Sequence, residues 1–197
     1  MLTRSNKDIF VRGFAKALEE KWQVDVQLKG RDSDEGVSIF AHKLVLASRS
    51  EVLKKILELD EFKAPSQRET VTFSELKHEE LEALVKFIYS DGSKLSAKAK
   101  EHVRSLYVTA DKYEIPHLRD LCRNELVKSL NLSNALEVLE LSLIPLDNAL
   151  HDAAFSYIIK NLKTIVNSLE FKLFANRNTD LTVEIIRAFM ARRNIYY

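Results

Sequence analysis

The chain of 197 residues carries 30 Lys+Arg against 29 Asp+Glu, a formal charge of +1, with 46% apolar and 30% charged residues. This is the composition of a soluble globular protein of one or two domains; it offers no basic excess for nucleic acid, and its longest apolar runs (Leu44–Ala47, Ala188–Ala191) fall far short of the roughly twenty residues a bilayer span needs. Four glycines and three prolines predict helices joined by short polar links rather than an all-β sandwich, and glycines at 13, 30, 36 and 92 cannot form dinucleotide-binding, P-loop or nucleophile-elbow motifs.

Residues 8–21 read as a helix, with Ile9, Phe10, Phe14, Ala17 and Leu18 on one apolar stripe. Val24 to Leu28 alternate apolar and polar as a half-buried strand does. After a polar turn from Gly30 to Gly36, Val37, Ile39 and Ala41 form its hairpin partner. His42 ends that strand and is expected to cap or buttress the short buried helix Leu44–Ala47. Ser48 and Glu51 have capping-box spacing ahead of a further helix, whose face is Val52, Leu53, Ile56 and Leu57 and whose end falls near Asp60. Thr70 to Phe73 return to period two as a third strand, and Leu81, Leu84, Val85 and Ile88 mark a helix with Glu79 and Glu80 in its first turn, ending at Asp91-Gly92.

The remainder reads as helix throughout. Ala99 to Tyr113 form one helix and, beyond Pro116, Leu118 to Leu130 another; further helices lie near 134–142, 147–166 and 180–192, with a junction at Asn131–Asn134. Strands confined to the first half and helices filling the second predict an α+β unit continued by a helical extension.

Little in the sequence points to chemistry at a reactive centre. The histidines at 42, 78, 102, 117 and 151 and the single Cys122 lack metal-ligand spacing, so no metal, cofactor or catalytic residue is expected, and Cys122 reads as a core residue. One cysteine cannot form an internal disulfide and the N-terminus has no apolar signal core, which predicts a cytoplasmic or nuclear protein; Arg192-Arg193 is too short to decide between the two. Lys94, Lys98, Lys100 and Arg104 lack interleaved aromatics and read as a solvated face, so neither nucleic acid nor membrane is an expected partner.

The stretch from Val24-Asp25-Val26 through Phe40-Ala41-His42-Lys43-Leu44-Val45-Leu46-Ala47-Ser48-Arg49-Ser50 resembles the BTB/POZ signature, an aspartate in the first strand followed by F-x-A-H-K-x-V-L-A-x-x-S. Phe87-Ile88-Tyr89-Ser90-Asp91-Gly92 and Ala110-Asp111-Lys112-Tyr113 resemble two further family segments in the expected order, and residues from Asn131 onward resemble the helical BACK-type extension of short plant members. The resemblance implies a BTB/POZ fold, a small three-stranded sheet flanked by helices, with an all-helical extension: an N-terminal dimerisation helix at 1–22, a core at 23–130 and BACK-like helices at 131–197. It further implies a non-catalytic homodimer, or a heterodimer with another BTB protein, whose interface includes Phe10, Phe14, Leu18 and the paired buried charges Asp25 and Lys43. Many members act as substrate adaptors of a Cullin-3 RING ubiquitin ligase through a hydrophobic-x-Glu motif. Here that motif falls on Leu59 and Glu61, with Ile56-Leu57-Glu58 one turn earlier reading as core, and Tyr113 and the helix from Leu132 to Leu141 completing the cullin face. The alternative is a cullin-independent scaffold or a transcriptional or signalling partner. No segment resembles a MATH, Kelch or zinc-finger module, so either the BACK-like helices bind substrate, a heterodimer partner supplies it, or the chain acts by dimerising and competing with complete adaptors.

Overall fold

A computed structural model describes residues 6–34, 37–58 and 69–193. The chain divides into two compact units, Met1–Cys122 and Arg123–Tyr197.

The first unit is built around strand β1 (Val26–Gly30), whose alternate residues Val26, Leu28 and Gly30 are buried. Strand β2 (Ile39–Ala41) pairs with it antiparallel, Val26 opposite Ala41 and Leu28 opposite Ile39, which is the expected hairpin. Strand β3 (Glu69–Phe73) joins the other side of β1 in parallel, Val26 beside Glu69 and Gly30 beside Phe73, giving the order β2-β1-β3. Helix α1 (Asn6–Glu19) precedes the sheet, and α2 (Lys43–Arg49) and α3 (Glu51–Glu58) lie in the connection between β2 and β3. Helix α4 (His78–Ile88) follows β3 and packs on β1; α5 (Ala97–Glu101) and α6 (Val103–Lys112) come next.

Gly30 sets how closely α4 can approach the sheet. A Cβ at this position would lie 2.6 Å from the His78 backbone nitrogen and 2.8 Å from the Lys77 carbonyl carbon, so only glycine fits beneath the start of α4. The donors at that helix end are met from outside the helix and within it: Asp32 Oδ1 accepts the His78 N–H at 2.7 Å and Glu80 Oε2 accepts the Lys77 N–H at 2.7 Å.

Three local expectations are corrected. The cap of α3 is Ser50, whose Oγ accepts the Leu53 N–H at 3.0 Å, whereas the Ser48 hydroxyl donates back to the Val45 carbonyl at 2.8 Å. Helix α2 is only half buried: Leu46 is in the core, but Leu44 is 76% exposed. The single helix expected from Ala99 to Tyr113 is two, because His102 leaves helical geometry (φ −106°, ψ 21°) between α5 and α6.

Helix α7 (Pro116–Lys128) begins in the first unit and runs into the second, with proline at the first position, where its missing N–H costs nothing. The division between the units therefore falls inside α7, a few residues before the 130/131 boundary read from the sequence. The second unit continues with α8 (Ala135–Ser142), α9 (Asn148–Ile165), α10 (Leu169–Arg177) and α11 (Thr179–Arg193) around a core that includes Leu139, Leu150, Ala154, Ile158, Phe174 and Ile185. Helix α10 was not expected. It buries only Phe171 and Phe174, too short an apolar pattern to stand out, and Ser168 caps it by accepting the Phe171 N–H at 3.1 Å. Glu140 of α8 accepts from Arg177 at 3.1 Å and from Asn178 at 2.5 Å, tying α8 to the corner between α10 and α11. No helix among the described residues is long and apolar enough to cross a membrane.

Candidate functional site

The chief unexplained feature of the first unit is apolar surface left in water on α1 and α2. The expected single stripe of α1 is split by helical phase. Val11, Ala15 and Leu18 are partly covered, while Ile9, Phe10 (68% exposed) and Phe14 face outward, the two phenylalanines meeting edge to face with ring centroids 5.0 Å apart. Leu44 of α2 and Trp22, 65% exposed just beyond α1, extend this surface. Between them lies an open hollow of about 570 Å³ walled by Phe10, Phe14, Trp22, His42 and Leu44. A second hollow of about 430 Å³ runs between α1, α2 and the end of α4, where Ile88 and Tyr89 line it. Shallow, open, apolar-walled hollows of this kind have the shape and lining to receive apolar side chains.

A polar network holds the elements behind this surface. The His42 N–H donates to the Tyr89 hydroxyl at 2.8 Å; the His42 imidazole meets the same hydroxyl through Nδ1 at 2.7 Å and the Trp22 carbonyl through Nε2 at 2.7 Å. Burial pushes the Tyr89 phenol up to about 12, against the lowering effect of the His42 N–H, and the Asp25 charge adds to the rise; the hydroxyl therefore keeps its proton at neutral pH. His42 buttresses α2 rather than capping it, for its side chain makes no cap bond; Asp25 Oδ1 instead accepts the Lys43 N–H at 2.7 Å.

That bond also revises the expected charge pair. Asp25 is exposed and engages the backbone of Lys43, while the Lys43 ammonium forms its ion pair with Glu69 at the start of β3, whose side chain is 8% exposed. The two residues are thus adjacent but are not a buried pair of facing charges. Leu18 is half-buried and contributes less outward surface than Phe10 and Phe14.

Of the cullin candidates, Leu59 and Glu61 lie outside the described residues. Tyr113 is 5% exposed, with its hydroxyl donating to Glu75 at 2.6 Å beside the Lys112 ammonium at 2.7 Å, so it supports its surroundings from within rather than presenting a side chain. Burial and the Glu75 carboxylate both raise the Tyr113 phenol. Desolvation works to raise Glu75, but the hydrogen bonds from Lys112 and Tyr113 outweigh it and hold the carboxyl below its ordinary value. Leu57 is buried, Ile56 half-buried and Glu58 exposed, so the apolar pair of the earlier candidate triplet lies at the core side of α3. Among the described residues, no three His, Cys, Asp or Glu side chains are grouped as metal ligands.

The family model for the BTB/POZ domain matches residues 14–130, which include the sheet, the C-terminal part of α1 and all of α2 to α7. The chain belongs to the BTB/POZ family. BTB/POZ domains are protein-interaction modules, in general non-catalytic, that mediate dimerisation and partner binding. The likeness extends beyond the domain itself. The Arabidopsis thaliana protein At2g40450, named for its BTB/POZ domain, is 63% identical over 194 residues, covering 98% of this chain and 93% of the relative. The BTB/POZ domain-containing protein At5g48510 of the same plant is 61% identical over 188 residues, covering 95% of this chain and 84% of the relative. The sequence beyond residue 130, which forms α8 to α11 in this chain, is therefore shared with these BTB/POZ relatives. Among solved structures, the BTB domain of zebrafish PATZ1 matches with a TM-score of 0.49 at 17% identity, over 66% of this chain and 100% of that one.

Of the exposed apolar side chains Phe10, Phe14, Trp22 and Leu44, the sequence singles out the two phenylalanines but not Trp22 or Leu44. Trp22 had a signal, as a lone tryptophan in a polar stretch directly after an amphipathic helix. Leu44 had none, because an apolar run of four gives no phase by which to tell its exposed member from its buried ones.

Proposed function

We propose that this BTB/POZ protein works as a dimeric, non-catalytic adaptor in ubiquitin ligation. Two copies pair through the α1–α2 face, each offers the segment after α3 to Cullin-3, and the BACK-like helices extend that contact or take up substrate. The observation that carries the dimeric part is the outward cluster Phe10, Phe14, Trp22 and Leu44, an apolar surface that a second copy would remove from water in a self-complementary, two-fold contact. The cullin part is supported by family membership and by the hydrophobic-x-Glu sequence Leu59-Asp60-Glu61 following α3.

The test is direct binding of the purified chain to the N-terminal region of Cullin-3, comparing wild type with the Leu59→Ala/Glu61→Ala double variant. Micromolar or tighter binding, lost in a variant that still dimerises, is the expected result. A folded dimer that does not bind would overturn the cullin part and leave a cullin-independent scaffold.

A further inference from the structure

We infer that His42 is the positioning residue of the pairing surface: its imidazole, joined to the Trp22 carbonyl on one side and the Tyr89 hydroxyl on the other, holds the turn after α1 in the shape on which a second copy of this chain docks. This rests on the self-association proposed above and specifies what keeps that surface pre-formed.

The turn carries two left-handed residues, Lys21 (φ 51°) and Gln23 (φ 54°), which flank Trp22 on either side in a region disfavoured for residues with long side chains. Lys21 belongs to the ordinary end of α1, whereas Gln23 lies beyond what that helix end accounts for. Such backbone persists only where its surroundings over-determine it. From within α1 the turn is held by the Trp22 N–H on the Ala17 carbonyl at 3.0 Å and the Lys21 N–H on the Leu18 carbonyl at 3.1 Å. The Trp22 carbonyl is taken from across the surface by His42 Nε2 at 2.7 Å, twenty residues away in sequence.

Donors and acceptors fix the tautomer. A carbonyl can only accept, so Nε2 carries the proton; Nδ1 is then an acceptor in the neutral ring, and the Tyr89 hydroxyl donates to it while accepting the His42 N–H. One side chain thus joins the end of α1, the β2–α2 junction and the residue after α4. Trp22, Leu44 and His42 line the same hollow, so a slack turn would alter the docking face while leaving the sheet and its core intact. Pre-forming a surface lowers the ordering cost of association.

Two amide variants of the full chain, each mimicking one ring nitrogen, separate the bonds. Asparagine can reach Tyr89 from the Nδ1 side but not the Trp22 carbonyl; glutamine carries an N–H donor out to the Nε2 position. The readouts are the dimer dissociation constant, the thermal midpoint and the fluorescence anisotropy of Trp22, the chain's single tryptophan. His42→Asn is expected to weaken pairing about tenfold or more, since each dimer loses two such bonds, and to lower the anisotropy. His42→Gln is expected to restore pairing to within about threefold of wild type, with a midpoint close to that of the asparagine variant. Equal weakening by both variants, or wild-type pairing and anisotropy in His42→Asn, would overturn the inference while leaving dimerisation standing; a wild type that stays monomeric at every concentration would overturn both. Should His42→Asn not fold, Tyr89→Phe removes the hydroxyl that orients Nδ1 and keeps the ring. It is expected to weaken pairing by about threefold, and no change would count against the clamp.

Discussion

Gly30 and Ser50 each have a role that a single substitution can expose. Alanine at Gly30 would drive a methyl group into the backbone of Lys77 and His78, atoms that cannot swing aside as a side-chain tip can; Gly30→Ala should lower unfolding free energy by about 2 kcal/mol or more, read from chemical denaturation. Ser50 is buried and serves twice, donating to the Tyr113 carbonyl at 2.5 Å and accepting the Leu53 N–H at 3.0 Å. Ser50→Ala leaves both partners unmet and should cost about 2–3 kcal/mol, against less than about 0.5 kcal/mol for Ser48→Ala, which only frees the Val45 carbonyl at an exposed position. Equal effects at the two serines would contradict this assignment. The sequence favoured Ser48 because its spacing to Glu51 matches a local capping box; the tie from Ser50 to a residue sixty-three positions away leaves no local pattern.

Among the elements, α4 and α5 are joined by Glu82, which takes Lys98 at 2.6 Å and its own helix neighbour Lys86 at 3.0 Å. The hydrogen bonds of Lys98 and then Lys86 bring the Glu82 carboxyl down from 4.5 to about 2, outweighing its desolvation. A carboxyl that binds its proton more weakly in the folded than in the unfolded chain stabilises the fold above its unfolded value, and that contribution is lost as pH falls through the folded one. The thermal midpoint should therefore drop as pH is lowered from about 4.5 towards 2, and Glu82→Gln should flatten that part of the profile; Glu75 and Glu80, also held below their ordinary values, supply the slope that remains. An unchanged profile in the variant would contradict the tie. At this scale the sequence was most readable where one period runs undisturbed: the alternation of β1 and β2, the long apolar face of α4, and the proline start of α7. It was least readable where tertiary contacts decide, as in the break at His102 and the two-phenylalanine helix α10.

For the whole molecule, family and fold were legible because the signature residues are those that build the junction itself. Asp25 caps α2 and His42 ties three elements, so a short sequence pattern reports a three-dimensional arrangement. The proposed pairing surface was legible in part. Periodicity locates Phe10 and Phe14 on one side of a helix, but which apolar residues the chain itself covers depends on packing across α1, α2 and the turn at Trp22. An exposed Phe10, whose ring meets Phe14 but is otherwise largely in water, adds little to the folding of one copy, so replacing it with glutamate should leave the thermal midpoint within a few degrees of wild type while placing two charges in the proposed contact. The most direct measurement is therefore sedimentation of wild type and Phe10→Glu across a dilution series. Wild type should run at twice 22.7 kDa at micromolar concentration and Phe10→Glu at the mass of one chain with its fold intact, whereas a wild type that remains a single chain, or a glutamate variant that still pairs, would contradict self-association through α1 and α2.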